Sequence, residues 1–394
     1  MPLLFVLAAS CLVSSMTMRL VDPVVPGIAR DFAVSAETAA LLASAFTFPY
    51  ALFQPILGSL GDALGKARII KLSLAVVLVC LVLAAYAPRI EVLFIARMIG
   101  GAAAGGIIPL AFAMVGDRIP FAERQVALSR LLTAILAGQL TGSIGSGLLA
   151  SYAGWRASMV VAAVIALAAL VMTVLQLHAR QSPDAATRPR FTVAGMRAGY
   201  AEVFANPRSP VCFTAVFIGG IVMFGLFPYI AILLEARGAG GLKEAGFVLA
   251  GFGIGGILYT ALVVMLLRRL GLMNLIRAGG LVAALGLASL ALGASWPAEM
   301  AAFVLVGVGF YMVHNSLQTQ ATELAPNARG AAVAAHAFFF FLGQAVGPVV
   351  YAFALPALGQ GTTLACGALV MAALGFATAH GLLVRGNATS QRAS

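Results

Sequence analysis

Apolar runs of about 20 residues recur along this chain, the length an α-helix needs to cross a bilayer. Cutting the 394 residues at charged and Pro/Gly-rich breaks predicts spans at 3–28, 37–60, 69–87, 92–116, 126–151, 156–178, 210–234, 245–267, 276–294, 299–322, 330–356 and 362–384. Lipid is the solvent such segments imply. Composition agrees, with 62% of residues hydrophobic and 9% charged, against about 45–50% and about 25% in soluble domains.

The connections alternate in charge. One side collects Lys66, Arg68, Lys71, Arg118, Arg124, Arg130, Arg180, Arg188, Arg190, Arg197, Arg208, Arg268, Arg269, Arg277, Arg329, Arg385 and Arg392. The other holds only Arg30, Arg89, Arg156, Arg237 and Lys243. Lys and Arg mark cytoplasmic loops, so both termini are expected in the cytoplasm and the chain in a cell inner membrane. The net charge of +11 is spread between apolar runs and not gathered on one solvated face, so nucleic acid is not an expected partner.

Several other classes are disfavoured. Cys11, Cys80, Cys212 and Cys366 each lie in an apolar run without disulfide or metal spacing, and neither metal nor cofactor is expected. "GDALGKAR" has the wrong glycine spacing for a phosphate loop and no Ser or Thr after its Lys, which argues against ATP-driven pumping. No G-x-S-x-G or H-E-x-x-H motif is present, so the chain is not read as an enzyme and no catalytic residue is assigned. The start "MPLLFVLAASC" lacks a basic n-region and is read as the opening of the first span.

The longest break is basic, "ARQSPDAATRPRFTVAGMRAGYAEVFANPRS", with a short surface helix expected around 192–204. It gives an expected organisation of 1–180, a cytoplasmic linker at 181–208, and 209–394. The halves resemble each other. "GQLTG" at 138–142 matches "GQAVG" at 343–347, "IPFAER" at 119–124 matches "APNAR" at 325–329, and Leu64-Gly65 matches Leu270-Gly271. The expected fold is an all-α membrane protein of twelve transmembrane helices in two pseudo-symmetric six-helix bundles, with the substrate path between them.

The loop "GSLGDALGKARIIK" reads as a tight turn. Gly58 allows close helix approach, Asp62 can cap a helix start, and Lys66, Arg68 and Lys71 hold the turn among headgroups. The stretch resembles the G-x-L-x-D-x-x-G-[RK]-[RK] signature of the major facilitator superfamily. Gly58, Leu60, Asp62, Gly65 and Lys66 match, while Ala67 interrupts the basic pair before Arg68. The resemblance implies a cytoplasmic gate at Gly58, Asp62, Gly65, Lys66 and Arg68, with Asp62 as a latch. In the second half Arg268 stands about where that Asp would be.

"RMIGGAAAGG" at 97–106 resembles the fourth-helix motif of the same superfamily, whose Arg is associated with proton coupling. "GQLTGSIGSG" at 138–147 is similar to the fifth-helix G-x-x-x-G-P-x-x-G-G motif of drug:proton antiporters, with Ser143 in place of the Pro. "DPVVP" at 22–26 is similar to the D-x-x-x-P of the first helix in some multidrug:proton antiporters. These resemblances imply proton-coupled efflux of a small amphipathic or cationic organic compound by alternating access. The alternative keeps the fold and imports a small metabolite anion by symport or facilitation, with Arg19 or Arg97 on its carboxylate. The expected partners are substrate, protons and the bilayer, with the chain a monomer.

Ionisable groups inside a membrane are costly and mark pathways or relays. Arg19, Asp22 and Arg97 stand well inside their spans. At 1.5 Å per residue Asp22 lies roughly 10 Å, and Arg97 roughly 9 Å, below the same surface. Burial disfavours charge on Asp22 and two guanidinium groups favour it, so small rearrangements can load or release a proton. Asp22 is the expected proton site, with Arg19 and Arg97 modulating it. Among weaker candidates, Gln139, His314 and Asn315 offer polar contacts for substrate, and Phe46, Tyr50, Phe224 and Phe227 greasy walls. Helix packing is the competing role for each, and for His336.

Overall fold

Proline and glycine set where these helices break, and the breaks position everything that follows. In a computed structural model of the chain, residues 2–176, 193–293 and 295–391 are described, with a few helix side chains, Asp62 among them, outside the description. The described residues are nearly all helical. Among the described residues, ten helices are long and apolar enough to cross a membrane. Two of these are interrupted by a glycine at positive φ, Gly271 at 70° and Gly359 at 76°, a conformation that side chains with a Cβ avoid. Counting each as a pair is consistent with the twelve spans expected.

Contacts divide the chain into Met1–Thr192 and Val193–Ser394. The first unit opens with α1 (Pro2–Arg19), a 3₁₀ turn (Asp22–Val24) and α2 (Val25–Phe32). There follow α3 (Ala36–Leu64), α4 (Lys66–Ala85), α5 (Ile90–Ala104), α6 (Ile107–Arg118) and α7 (Phe121–Leu140). A π-helical stretch (Thr141–Gly145), α8 (Ser146–Ala153) and α9 (Trp155–Gln176) complete it. The second unit carries α10 (Val193–Ala205), where the sequence predicts a helix at 192–204, then α11 (Ser209–Gly225). A 3₁₀ turn (Phe227–Tyr229), α12 (Ile230–Ala236), α13 (Leu242–Ala291), α14 (Trp296–Thr322) and α15 (Arg329–Gln391) follow. Residues 177–192 of the expected linker lie outside the described residues.

Within membranes helices gain by backbone approach at small residues. In the first unit, α3 is met by Gly101 of α5 and by Gly105 just after it, whose added Cβ atoms would collide with the carbonyl oxygens of Phe46 and Tyr50. In the second, Gly307 of α14 stands likewise against the Phe252 carbonyl of α13. Gly138 and Gly142 of the fifth span rest on the backbone of α1 at Leu12 and Met16. Gly343 and Gly347 of α15 rest on α11 at Phe217 and Ile221. The repeat seen as "GQLTG" and "GQAVG" is thus one packing contact made in each unit.

Two readings of the second-to-third connection need correction. Gly58 makes no close approach, since a Cβ there would meet nothing within 4 Å among the described residues. The tight contact falls at Gly61, against the Leu110 side chain. Asp62 does not start a helix: it lies in the last turn of α3, which Gly65 ends at φ 98°. Both errors came from placing the helix end too early.

The contrast yields a stability prediction. Gly101→Val drives side-chain atoms into backbone that cannot step aside, and overpacking of this kind costs about 1–3 kcal/mol. Thermal unfolding in detergent should show the loss for Gly101→Val, while Gly58→Ala leaves the midpoint unchanged or slightly raised.

Candidate functional site

The first span cannot run straight past Arg19. Pro23 and Pro26 lack N–H groups, and the chain answers with the 3₁₀ turn Asp22–Val24 before helix resumes at Val25. Asp22 stands in that break, 1% exposed. Its carboxylate lies 3.5 Å from a guanidinium nitrogen of Arg19, and neither carboxylate oxygen has a hydrogen-bond partner. A buried carboxylate normally accepts several hydrogen bonds. This one has a long ion-pair contact with Arg19 in their place.

The elements around the break are irregular too. The turn Asp22–Val24 packs on α8 and on the π-helical stretch Thr141–Gly145. Gly142 abuts Arg19, whose Cβ would lie 3.1 Å from a Cβ at that glycine. Ser146 donates its hydroxyl to the Gly142 carbonyl, satisfying part of the widened turn. π-Bulges of this kind are frequent at functional sites. The Pro missing from the fifth-span motif is replaced by Ser143, which lies inside the bulge.

Arg97 has a different employment. Its Nε donates to the Leu42 carbonyl at 3.2 Å, and its terminal nitrogens to those of Thr17 at 2.7 Å and Met18 at 3.4 Å. The guanidinium also lies over the Phe46 ring, 4.2 Å from its centroid. It reaches from α5 to α1 and α3, one turn before Asp22, and makes no salt bridge with that carboxylate. Phe46 in turn stacks on Tyr50 at 6.0 Å, both fully buried. Gln139 is half-buried in the last turn of α7.

The second unit repeats this niche with different chemistry. Phe224 and Phe227 stand 205 residues after Arg19 and Asp22, at a break that Pro228 makes as Pro23 makes the first. Their rings lie 4.9 Å apart, and Phe227 also meets Phe252 at 5.2 Å and Phe303 at 5.8 Å. Phe252 and Phe303 match Phe46 and Arg97 at an offset of 206 residues. Where the first unit buries an ionic cluster, the second buries aromatic rings.

His314 stacks on Phe310 at 5.0 Å and lies 4.3 Å from Phe340 and 5.1 Å from His336. Asn315 beside it is half-buried. No group of three or more metal-ligating side chains occurs among the described residues.

At the gate sequence, Lys66 donates to the Asp117 carboxylate at 2.9 Å, tying the start of α4 to the end of α6. Arg68 is exposed, and the Asp62 side chain lies outside the described residues. Both ends of the Lys66–Asp117 pair keep some solvent contact. A double-mutant cycle of Lys66→Gln and Asp117→Asn, read by thermal unfolding, should therefore give a coupling of no more than about 1 kcal/mol. A coupling of several kcal/mol would show a pair far drier than this one.

Sequence reasoning missed two acidic residues. Asp117 lies at the end of a span whose basic flank drew attention away from it. Glu299, 3% exposed in the first turn of α14, accepts from Arg237 at 2.5 Å. The signal for it was Arg237 itself, a cation in an otherwise sparsely charged set of loops.

Helices long and apolar enough to cross a membrane, gathered in two units of one chain, mark a multi-pass membrane protein. The chain belongs to the major facilitator superfamily, whose model matches residues 7–348. It is 26% identical over 352 residues to Multidrug resistance protein 1 of Bacillus subtilis (strain 168), covering 88% of each chain. It is 23% identical over 351 residues to Quinolone resistance protein NorA of Staphylococcus aureus, again 88% of each. Among solved structures, the nucleoside transporter NupG superposes with a TM-score of 0.80 at 15% identity, covering 97% of this chain and 99% of that one. That likeness concerns the fold alone.

Proposed function

We propose that the chain exports small amphipathic or cationic organic compounds in exchange for protons, by alternating access between its halves in an inner membrane with both termini cytoplasmic. Asp22 binds the proton. The observation that carries this reading is the Asp22 carboxylate, buried at a helix break, facing one guanidinium and accepting no hydrogen bond. A carboxyl so placed can take up and release a proton as its surroundings shift. Arg19 sets the balance by its distance, and the proline break and π-bulge supply backbone that can move.

Arg97 supports export over the importing alternative. Its donors are engaged by three backbone carbonyls, so it is a staple and not a free receptor for a carboxylate. The relatives are named for resistance to several drugs and to quinolones, and for a chain that moves solutes across a membrane, export is the action that would give resistance. Buried Phe46 and Tyr50 in the first unit, and Phe224 and Phe227 in the second, are the apolar groups assigned to substrate. Half-buried Gln139, His314 and Asn315 are the polar contacts assigned to substrate. Gly58, Asp62, Gly65, Lys66 and Arg68 form the cytoplasmic gate, with Asp117 as partner to Lys66.

Proteoliposomes with an imposed pH gradient test the direction. Ethidium, a cationic dye, should move against inward-flowing protons, and labelled small carboxylates should not follow protons inward. Proton-coupled entry of a carboxylate without dye movement would establish the importing alternative.

A further inference from the structure

One side chain keeps the irregular turn of the fifth span in shape. In a regular helix the amide of residue 146 would donate to the carbonyl of residue 142, one full turn back. Here the Ser146 amide donates to the Ser143 carbonyl and closes the π-helical stretch Thr141–Gly145. The Gly142 carbonyl receives the Ser146 hydroxyl in place of that amide. Serine and threonine hydroxyls commonly bond a carbonyl one turn back, and Ser10 and Thr17 do so within the regular helix α1. Ser146 differs because its hydroxyl stands in for a displaced backbone bond.

The turn is anchored from behind as well. Ser158 of α9 donates its hydroxyl to the Ser146 carbonyl at 3.1 Å, and both serines are 2% exposed. A chain of two hydrogen bonds thus runs from α9 through Ser146 of α8 to the Gly142 carbonyl. Gly142 is where the fifth span meets the first. A Cβ there would lie 2.6 Å from the Met16 carbonyl oxygen and 3.1 Å from the Arg19 Cβ. Where the bulge puts the Gly142 backbone therefore sets the path open to the Arg19 side chain. Arginine–carboxylate pairs free to relax close to about 2.7–2.9 Å. Arg19 and Asp22 stay 3.5 Å apart.

We infer that Ser146 is a positioning residue for the proton site: its hydroxyl holds the π-bulge against the root of Arg19 and so keeps that guanidinium at a stand-off from Asp22. The inference rests on the reading that Asp22 binds the proton, and it adds a residue that acts through Arg19. Without the hydroxyl the amide at position 146 returns to the Gly142 carbonyl and the bulge becomes regular helix. The Gly142 backbone then draws back from α1, and Arg19 closes on the carboxylate. A nearer guanidinium favours the ionised carboxyl.

Infrared titration of the full chain in detergent tests this through the protonated-carboxyl band that Asp22→Asn removes. In Ser146→Ala the band should vanish at lower pH than in wild type, by about one unit. That is a roughly tenfold weaker hold on the proton, the low end of what a neighbouring opposite charge does. Ser146→Thr keeps the hydroxyl and should titrate with wild type. Ser158→Ala loosens the same chain one link away and should move the band in the same direction by less. Lost thermal stability with an unmoved titration in Ser146→Ala marks a purely structural serine and overturns the inference. So does a shift to higher pH in that variant, or an equal shift in Ser146→Thr. If Ser146→Ala does not fold, the Ser158→Ala titration decides by itself. A wild type without the band would instead remove Asp22 from the mechanism, and Ser146 with it.

Discussion

Asp22→Asn is expected to reduce pH-gradient-driven dye movement to the rate of empty vesicles, while exchange of labelled for unlabelled dye continues. Asn keeps the shape of Asp but cannot take up and release a proton, so under the proposed mechanism exchange should continue while coupling to the gradient is lost. Folding should survive the change. Removing one partner of a buried pair costs about 3–5 kcal/mol when the survivor is left bare. Here the pair is 3.5 Å apart and the Asp22 oxygens accept no hydrogen bond, so relief of an under-bonded charge offsets much of that loss. A midpoint of unfolding close to wild type, with driven transport gone and exchange intact, is the expected pattern. Full driven transport in Asp22→Asn would remove Asp22 from the mechanism.

Arg97→Met is expected to fail differently, losing exchange and driven transport together because the first unit comes apart. Arg97 binds three backbone carbonyls on two other helices and covers the Phe46 ring. Hydrogen bonds from a charged group are worth about 1.5–3 kcal/mol each, and a desolvated cation–π contact about 2 kcal/mol. These terms overlap, and a loss of roughly 3 kcal/mol or more is expected in thermal unfolding. Arg97→Lys should recover little, since an ammonium gathers its donors on one nitrogen while Arg97 reaches the three carbonyls from three nitrogens. Wild-type unfolding in Arg97→Met would show that the staple bears no strain.

The helical class and the existence of the spans were legible because lipid imposes a length and a polarity on every crossing segment, while helix ends such as that of α3 ran past the expected boundary. The repeat was legible at Gly138 and Gly343, where side-chain absence is itself the signal. Gly58 was misjudged because glycine permits contact without requiring it, and only the neighbouring helix decides. Glu299 was missed because it opens a span, where an acid ordinarily meets water; Arg237, just past the end of α12, covers it, a relation no local pattern carries. Asp22 was found because a carboxylate in an apolar run is rare enough to announce itself. Its lack of hydrogen bonds was not legible, nor was the division of labour between Arg19 and Arg97. Those depend on side-chain reach across helices, which sequence spacing does not encode. The correspondence of Arg19 and Asp22 with Phe224 and Phe227 was present in the letters. It becomes meaningful only once both breaks are seen to occupy the same place in their own units.

The central claim, that the Asp22 carboxyl takes up and gives off a proton, is open to infrared difference spectroscopy on the full chain in detergent. Spectra taken between acid and alkaline pH should contain a protonated-carboxyl band that vanishes on alkalinisation, shifts when ethidium is added, and is missing from Asp22→Asn. The same band persisting in Asp22→Asn, or wild-type and variant difference spectra that coincide, would contradict the account.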